Sequence, residues 1–151
     1  MKEFDNHLTD IFKDLTRRFN PSYGTGYCMP IRRGPWLFAT GTTLHPPAQN
    51  DEESCQFDRE MRDNSDWFFF INDEQNSRHI ASTLRDIYPM NVLSPEHLKL
   101  DVAGQSLREW IEGQGFGKLS DISYDCALWH LSDLEIAKAR KSLRPLCVRA
   151  E

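Results

Sequence analysis

Five bulky apolar residues stand in a row at Trp67, Phe68, Phe69, Phe70 and Ile71, and three polar ones, Asn72, Asp73 and Glu74, follow without transition. A run of that kind, with no polar alternation, reads as a strand buried on both faces. Such a strand needs cover above and below, so helices are expected on the sheet that holds it.

Other periodicities supply the cover. Phe4, Leu8, Ile11, Phe12, Leu15 and Phe19 mark one face of an N-terminal helix, which Asn20-Pro21 ends because a residue before proline avoids helical angles. Residues 27–32 and 36–40 read as a hairpin around Arg33-Gly34-Pro35. Residues 77–88 look helical, with Ser77 as N-cap, Ile80, Leu84, Ile87 and Tyr88 on one stripe, and Pro89 as the stop. Met90–Leu93 is a short strand candidate. Ser94-Pro95 opens a second helical stretch through Leu98, Val102, Leu107, Trp110 and Ile111, which Gly104 divides into two pieces.

Residues 113–117 form a helix stop and a turn. "DISYDCALWHL" places Ile122, Tyr124, Cys126 and Leu128 on one face of a half-buried strand. Ser132 and Glu135 have the spacing of a capping box and open a helix to about Leu143. Pro145 breaks it, and "LCVR" is the last strand candidate. The expected fold is α/β or α+β: one domain over residues 1–151, with a single mixed β-sheet and helices packed on it.

The net charge is −5, which argues against a nucleic-acid binder, whose affinity comes largely from lysine and arginine. Much of the acidity sits in residues 50–63, "NDEESCQFDREMRD". That stretch reads as a solvated loop, or as a patch in which Asp51, Glu52, Glu53 and Asp58 meet a basic protein partner. No apolar run reaches membrane-spanning length, and the N-terminus lacks the apolar core of a signal peptide, so a cytoplasmic address is expected. Cys28, Cys55, Cys126 and Cys147 form no C-x-x-C pair and read as reduced thiols, mostly core filler.

Candidate chemistry is sparse. Asn72, Asp73 and Glu74 follow the end of the expected strand, where ligands gather in open α/β sheets. They could serve a metal-dependent or nucleotide-handling enzyme, or turn the chain and cap the next helix. The five histidines make no zinc signature, although His97 and Asp101 could share a helix face. Cys126 and His130 would lie about 13 Å apart along a strand, too far for a nucleophile and its base. Gly24 and Gly26 make no phosphate loop, and no metal or cofactor is expected.

Two stretches resemble the Rid (YjgF-like, reactive-intermediate imine deaminase) family. In residues 23–47, Gly34, the apolar strand Trp36-Leu37-Phe38-Ala39 and Thr40-Gly41-Thr42 fill the places of the family's first turn, second strand and Ser-Gly-Gln/Thr motif. Residues 106–135 are similar to its helix, glycine-containing turn, Asp-led strand and acidic helix opening. The resemblance implies a chorismate-mutase-like core in which residues 48–100 are an insertion. It also implies a homotrimer with clefts between subunits, and water attack on a bound imine or enamine. In that frame Arg144 and Thr40 are the catalytic candidates, and Tyr27, Thr40, Thr42 and Cys147 line the ligand cleft. Arg144 stands one position from the family's substrate-holding arginine, in "SLRPLCVRAE", so the activity implied is weak or lost. The expected function is therefore a divergent Rid-like protein binding a small metabolite, with a small acidic interaction or inhibitor (immunity-type) protein as the alternative.

Overall fold

The computed structural model describes residues 2–19, 21–26, 50–77, 79–123 and 126–148. Along the chain these give α1 (Lys2–Phe19), β1 (Tyr23–Gly26), α2 (Asp51–Asn72), α3 (Glu74–Ser77), β2 (Met90–Leu93), α4 (Pro95–Leu98), β3 (Asp101–Val102), β4 (Gln105–Ser106), α5 (Leu107–Gln114), β5 (Lys118–Ser123), β6 (Cys126–His130) and α6 (Asp133–Leu143). Short 3-10 turns follow α3 and α6. The expected hairpin at 27–40 lies outside the described residues.

Four strands form one sheet in the order β1-β2-β6-β5, and every pairing in it is antiparallel. A sheet of mixed direction is the expectation from sequence; among the described residues the parallel pairing is one bridge, Leu84 with Cys147, outside the named strands. The period-2 alternation of β2 and β6 then divides the core. Leu93, Ala127 and Trp129 face Leu107, Trp110 and Ile111 of α5 and Ile136, Ala139 and Leu143 of α6. Met90, Val92, Cys126 and Leu128 face the other way, onto Leu8 and Phe12 of α1. The result is a mixed α/β architecture with helices on both faces of the sheet. β2, buried at all four positions, lies within residues 48–100, the stretch expected as an insertion.

The reading of α1 is borne out, and its seat depends on a glycine. A Cβ at Gly26 would sit 2.7 Å from Phe12 Cζ, so only a bare backbone lets the ring lie on β1. The helical stripe is wider than this contact: Ile11, Leu15 and Phe19 remain exposed.

Several expectations give way. Trp67–Ile71 is helical, the last full turn of α2, and so is the acidic stretch before it. Five apolar residues in a row carry no period, and cannot by themselves distinguish a buried strand from a helix end. In the helix Trp67 is buried and Phe70 and Ile71 are half-buried at i, i+3 and i+4, while Phe68 and Phe69 point outward. The acidic residues suit an α2 N-terminus, where the helix dipole favours negative charge.

The expected helix over 77–88 is broken into a 3-10 turn at Ile80–Ser82 and extended chain. Tertiary partners take its backbone groups. Leu84 donates to the Leu146 carbonyl and accepts from Val148 N. Arg85 N donates to the Tyr23 hydroxyl, and Tyr88 N to Asn91 Oδ1. The fully buried Asn91 completes the exchange by donating Nδ2 to the Tyr88 carbonyl at 2.7 Å. "DISYDCALWHL" is not one strand but parts of two, β5 and β6, which pair as neighbours with a register shift near Asp121 and Ser123. Within "LCVR", Cys147 makes a single parallel bridge with Leu84, and Arg149 lies outside the described residues. The stretch after Ser94 does divide in two, with the β3–β4 hairpin between the pieces and Ala103 and Gly104 at positive φ in its turn.

The capping-box spacing at Ser132 does more than open α6. Glu135 Oε2 accepts from Ser132 N at 2.7 Å and from Ser132 Oγ at 2.6 Å, while Oε1 accepts from Gly117 N at 2.9 Å. Trp129 Nε1 holds the same turn by donating to the Phe116 carbonyl at 2.7 Å. Gly117 has φ +73, and a Cβ there would collide with the His130 carbonyl. Gly117→Ala is expected to destabilise the fold by about 2 kcal/mol or more, from the left-handed angle and the backbone collision together. Thermal unfolding should show it as a drop of roughly 5 °C or more in Tm.

Candidate functional site

α2 is the element whose chemistry the core does not use. Every described side chain from Asp51 to Arg62 is exposed. The helix carries seven acidic residues against Arg59 and Arg62, a net −5 equal to that of the whole chain. Its last turns add exposed aromatic surface: Phe69 is 69% exposed and Phe68 39%, with Met61 at 47% nearer the middle. Asp51, Glu52 and Asp58 thus lie exposed on a helix; the side chain of Glu53 lies outside those described.

Trp67 ties α2 to the rest of the molecule. Its ring meets Tyr23 of β1 edge-on at 6.2 Å and stacks with Phe70 at 5.8 Å. The Arg85 guanidinium lies over it at 5.6 Å, a cation–π contact made by an arginine only 5% exposed. Tyr23 in turn stacks on His97 of α4 at 5.0 Å, and its hydroxyl accepts from Arg85 N at 3.1 Å and donates to the Asp86 carbonyl at 3.4 Å. Burial foremost raises the Tyr23 pKa, so the phenol stays protonated. Asp86 is fixed by Arg140 of α6 in a two-point ion pair, Nε to Oδ1 at 3.0 Å and an η nitrogen to Oδ2 at 2.8 Å.

His97 is fully buried and engaged on both ring nitrogens. Nε2 lies 3.1 Å from the Thr83 carbonyl, which can only accept, so Nε2 carries the proton. Nδ1 therefore accepts from Ser94 Oγ at 2.9 Å. Asp101, expected on the same helix face, lies in β3 because α4 stops at Leu98. Burial foremost lowers the His97 pKa below its ordinary 6.5, and the bond to the Thr83 backbone opposes this. The unfolded chain then binds this proton more readily than the folded one. His97 leaves stability intact above pH 6.5 and withdraws it as pH falls below that value. Urea midpoints should therefore fall between pH 7.5 and 5.5, and His97→Gln should flatten that fall while lowering stability at pH 7.5.

Asn72, Asp73 and Glu74 stand at the junction of α2 and α3. Asn72 Nδ2 closes α2 on the Phe68 carbonyl at 2.8 Å, and Asp73 Oδ1 accepts from Gln75 N and Asn76 N, both at 2.9 Å. Asp73 is thereby occupied as a cap, and Glu74 begins α3. An open cleft of about 480 Å³ runs along this junction, lined by Asp66, Phe69, Phe70, Asn72, Asp73 and Asn76. Asp66 Oδ2 is buried beside it with no hydrogen-bond partner among the described residues. No group of three metal-ligating side chains occurs among the described residues.

Tyr27, Thr40 and Thr42 lie outside the described residues. Arg144 is exposed in the turn after α6, and its carbonyl accepts from Cys147 N at 3.2 Å. Cys147 is half-buried, its thiol donating to the Leu143 carbonyl at 3.4 Å. The Tyr23–His97–Trp67 cluster is the feature sequence reasoning missed, since its members are far apart in the chain and none has a local pattern. Comparison with family models, curated proteins and solved structures finds no match. No helix among the described residues is long and apolar enough to cross a membrane.

Proposed function

We propose that the chain is a protein-binding domain that presents α2 to a partner whose contact surface is basic and apolar. The observation that carries this reading is a helix bearing a net charge equal to that of the whole chain and three exposed large apolar side chains, Met61, Phe68 and Phe69. Aromatic residues and methionine are enriched at the centres of protein interfaces, while surrounding charges set the approach rate and exclude wrong partners. The cleft at the α2–α3 junction adds a recess with Phe69 and Phe70 beside the unsatisfied Asp66 oxygen. A cationic side chain from a partner would satisfy that oxygen and lie against the rings. This agrees with the interaction or inhibitor alternative read from residues 50–63, with the acidic patch now on a helix that also carries apolar anchors.

The test is affinity capture followed by binding of the purified partner. The wild-type chain should retain a protein of net positive surface charge, and the two should bind 1:1 with an affinity that falls as salt rises. Phe68→Ser/Phe69→Ser should weaken binding by about tenfold or more, mainly through faster dissociation. Asp51→Lys/Glu52→Lys should mainly slow association. Both variants should keep wild-type circular dichroism. Unchanged binding in both, or a partner of acidic surface, would overturn the reading.

A further inference from the structure

A second cleft, of about 290 Å³, lies between α4, the start of α5 and strands β5 and β6. Its lining includes Pro95, Leu98 and Cys126, of which Leu98 and Cys126 belong to the buried core. The rest of the lining is polar: Lys99, Arg108 and Asp121 are charged, and Ser106 and Ser123 carry hydroxyls.

The charges are not equivalent. An Arg108 η nitrogen donates to Asp121 Oδ1 at 2.6 Å, and the other η nitrogen lies 3.5 Å from Glu112 Oε1. That arginine is shared between two carboxylates, Asp121 of β5 and Glu112 of its own helix, and has no positive charge to spare for a ligand. Ser106, also in the lining, spends its hydroxyl on the Glu109 carboxylate at 2.7 Å. Lys99 caps the C-terminus of α4, is exposed, and makes no ion pair among the described residues. Among the described residues Lys99 is thus the lining cation without a carboxylate partner, and it stands beside an apolar floor. Lysine is a compact point charge without the planar fork that favours bidentate oxyanions. The volume falls at the small end of ligand sites, and such sites combine an apolar lining with few polar groups that set orientation.

We propose that this cleft binds a compact organic monoanion, its charged group at Lys99 and its apolar body against Pro95, Leu98 and Cys126. The proposal is independent of α2, which contributes none of these residues.

Titration with benzoate, isovalerate and benzenesulfonate, followed by NMR amide shifts and calorimetry, tests it. A carboxylate or sulfonate of this size should bind with a Kd on the order of 1 mM or tighter, with shifts confined to residues 95–99, 106–108 and 121–126. Neutral benzamide should bind at least tenfold more weakly. Lys99→Gln should reduce benzoate affinity by a similar factor, while Lys118→Gln, an exposed lysine outside the cleft, should leave it unchanged. Equal binding of benzamide and benzoate, unaltered affinity in Lys99→Gln, or shifts centred elsewhere would overturn the proposal. Binding of acetate as tightly as benzoate would overturn the role of the apolar floor.

Discussion

β2 and β6 bury side chains on both faces, and the rest of the architecture follows from that. They pair side by side at the centre of the sheet, so their alternating side chains demand two separate covers. α5 and α6 supply one, and α1, seated on Gly26 through Phe12, supplies the other. α2 is held near its C-terminal end through Trp67, and the described side chains of its first twelve residues face solvent.

The polar groups reinforce the same centre. Asn91, at a fully buried position of β2, takes over the backbone bonds of Tyr88 that a helix would otherwise have satisfied. Glu135 joins the start of α6 to the turn before β5, and Arg140 joins its middle to the chain before β2. Each is a side chain standing in for regular secondary structure where the chain leaves a strand or a helix, and buried backbone groups left unpaired there would be costly.

Legibility in the sequence follows the range of the interaction. The α1 stripe, the β2 strand, the Ser132–Glu135 spacing and the division of the chain after Ser94 are local patterns, and each has its counterpart in the structure. Trp67–Ile71 was misread because an unbroken apolar run has no period, and its helical state follows from the long acidic helix leading into it. Residues 79–88 carry a helical stripe yet are not a regular helix, because Leu84 and Arg85 take partners distant in the chain, Cys147 and Tyr23, and Tyr88 bonds the Asn91 side chain just beyond Pro89. The acidic stretch of the candidate site could be seen in composition alone. That it is a helix ending in exposed phenylalanines could not, because an apolar run without a period does not tell which rings face inward.

The Tyr23–Trp67 contact has a consequence for how the molecule can change. A helix that lends one tryptophan to the core can exchange most of its other residues with little effect on folding, since exposed positions seldom contribute much to stability. β2 has no such latitude, because each of its four side chains is packed. The fold therefore separates the residues that keep it folded from the exposed positions of α2, which can vary while the frame stays the same.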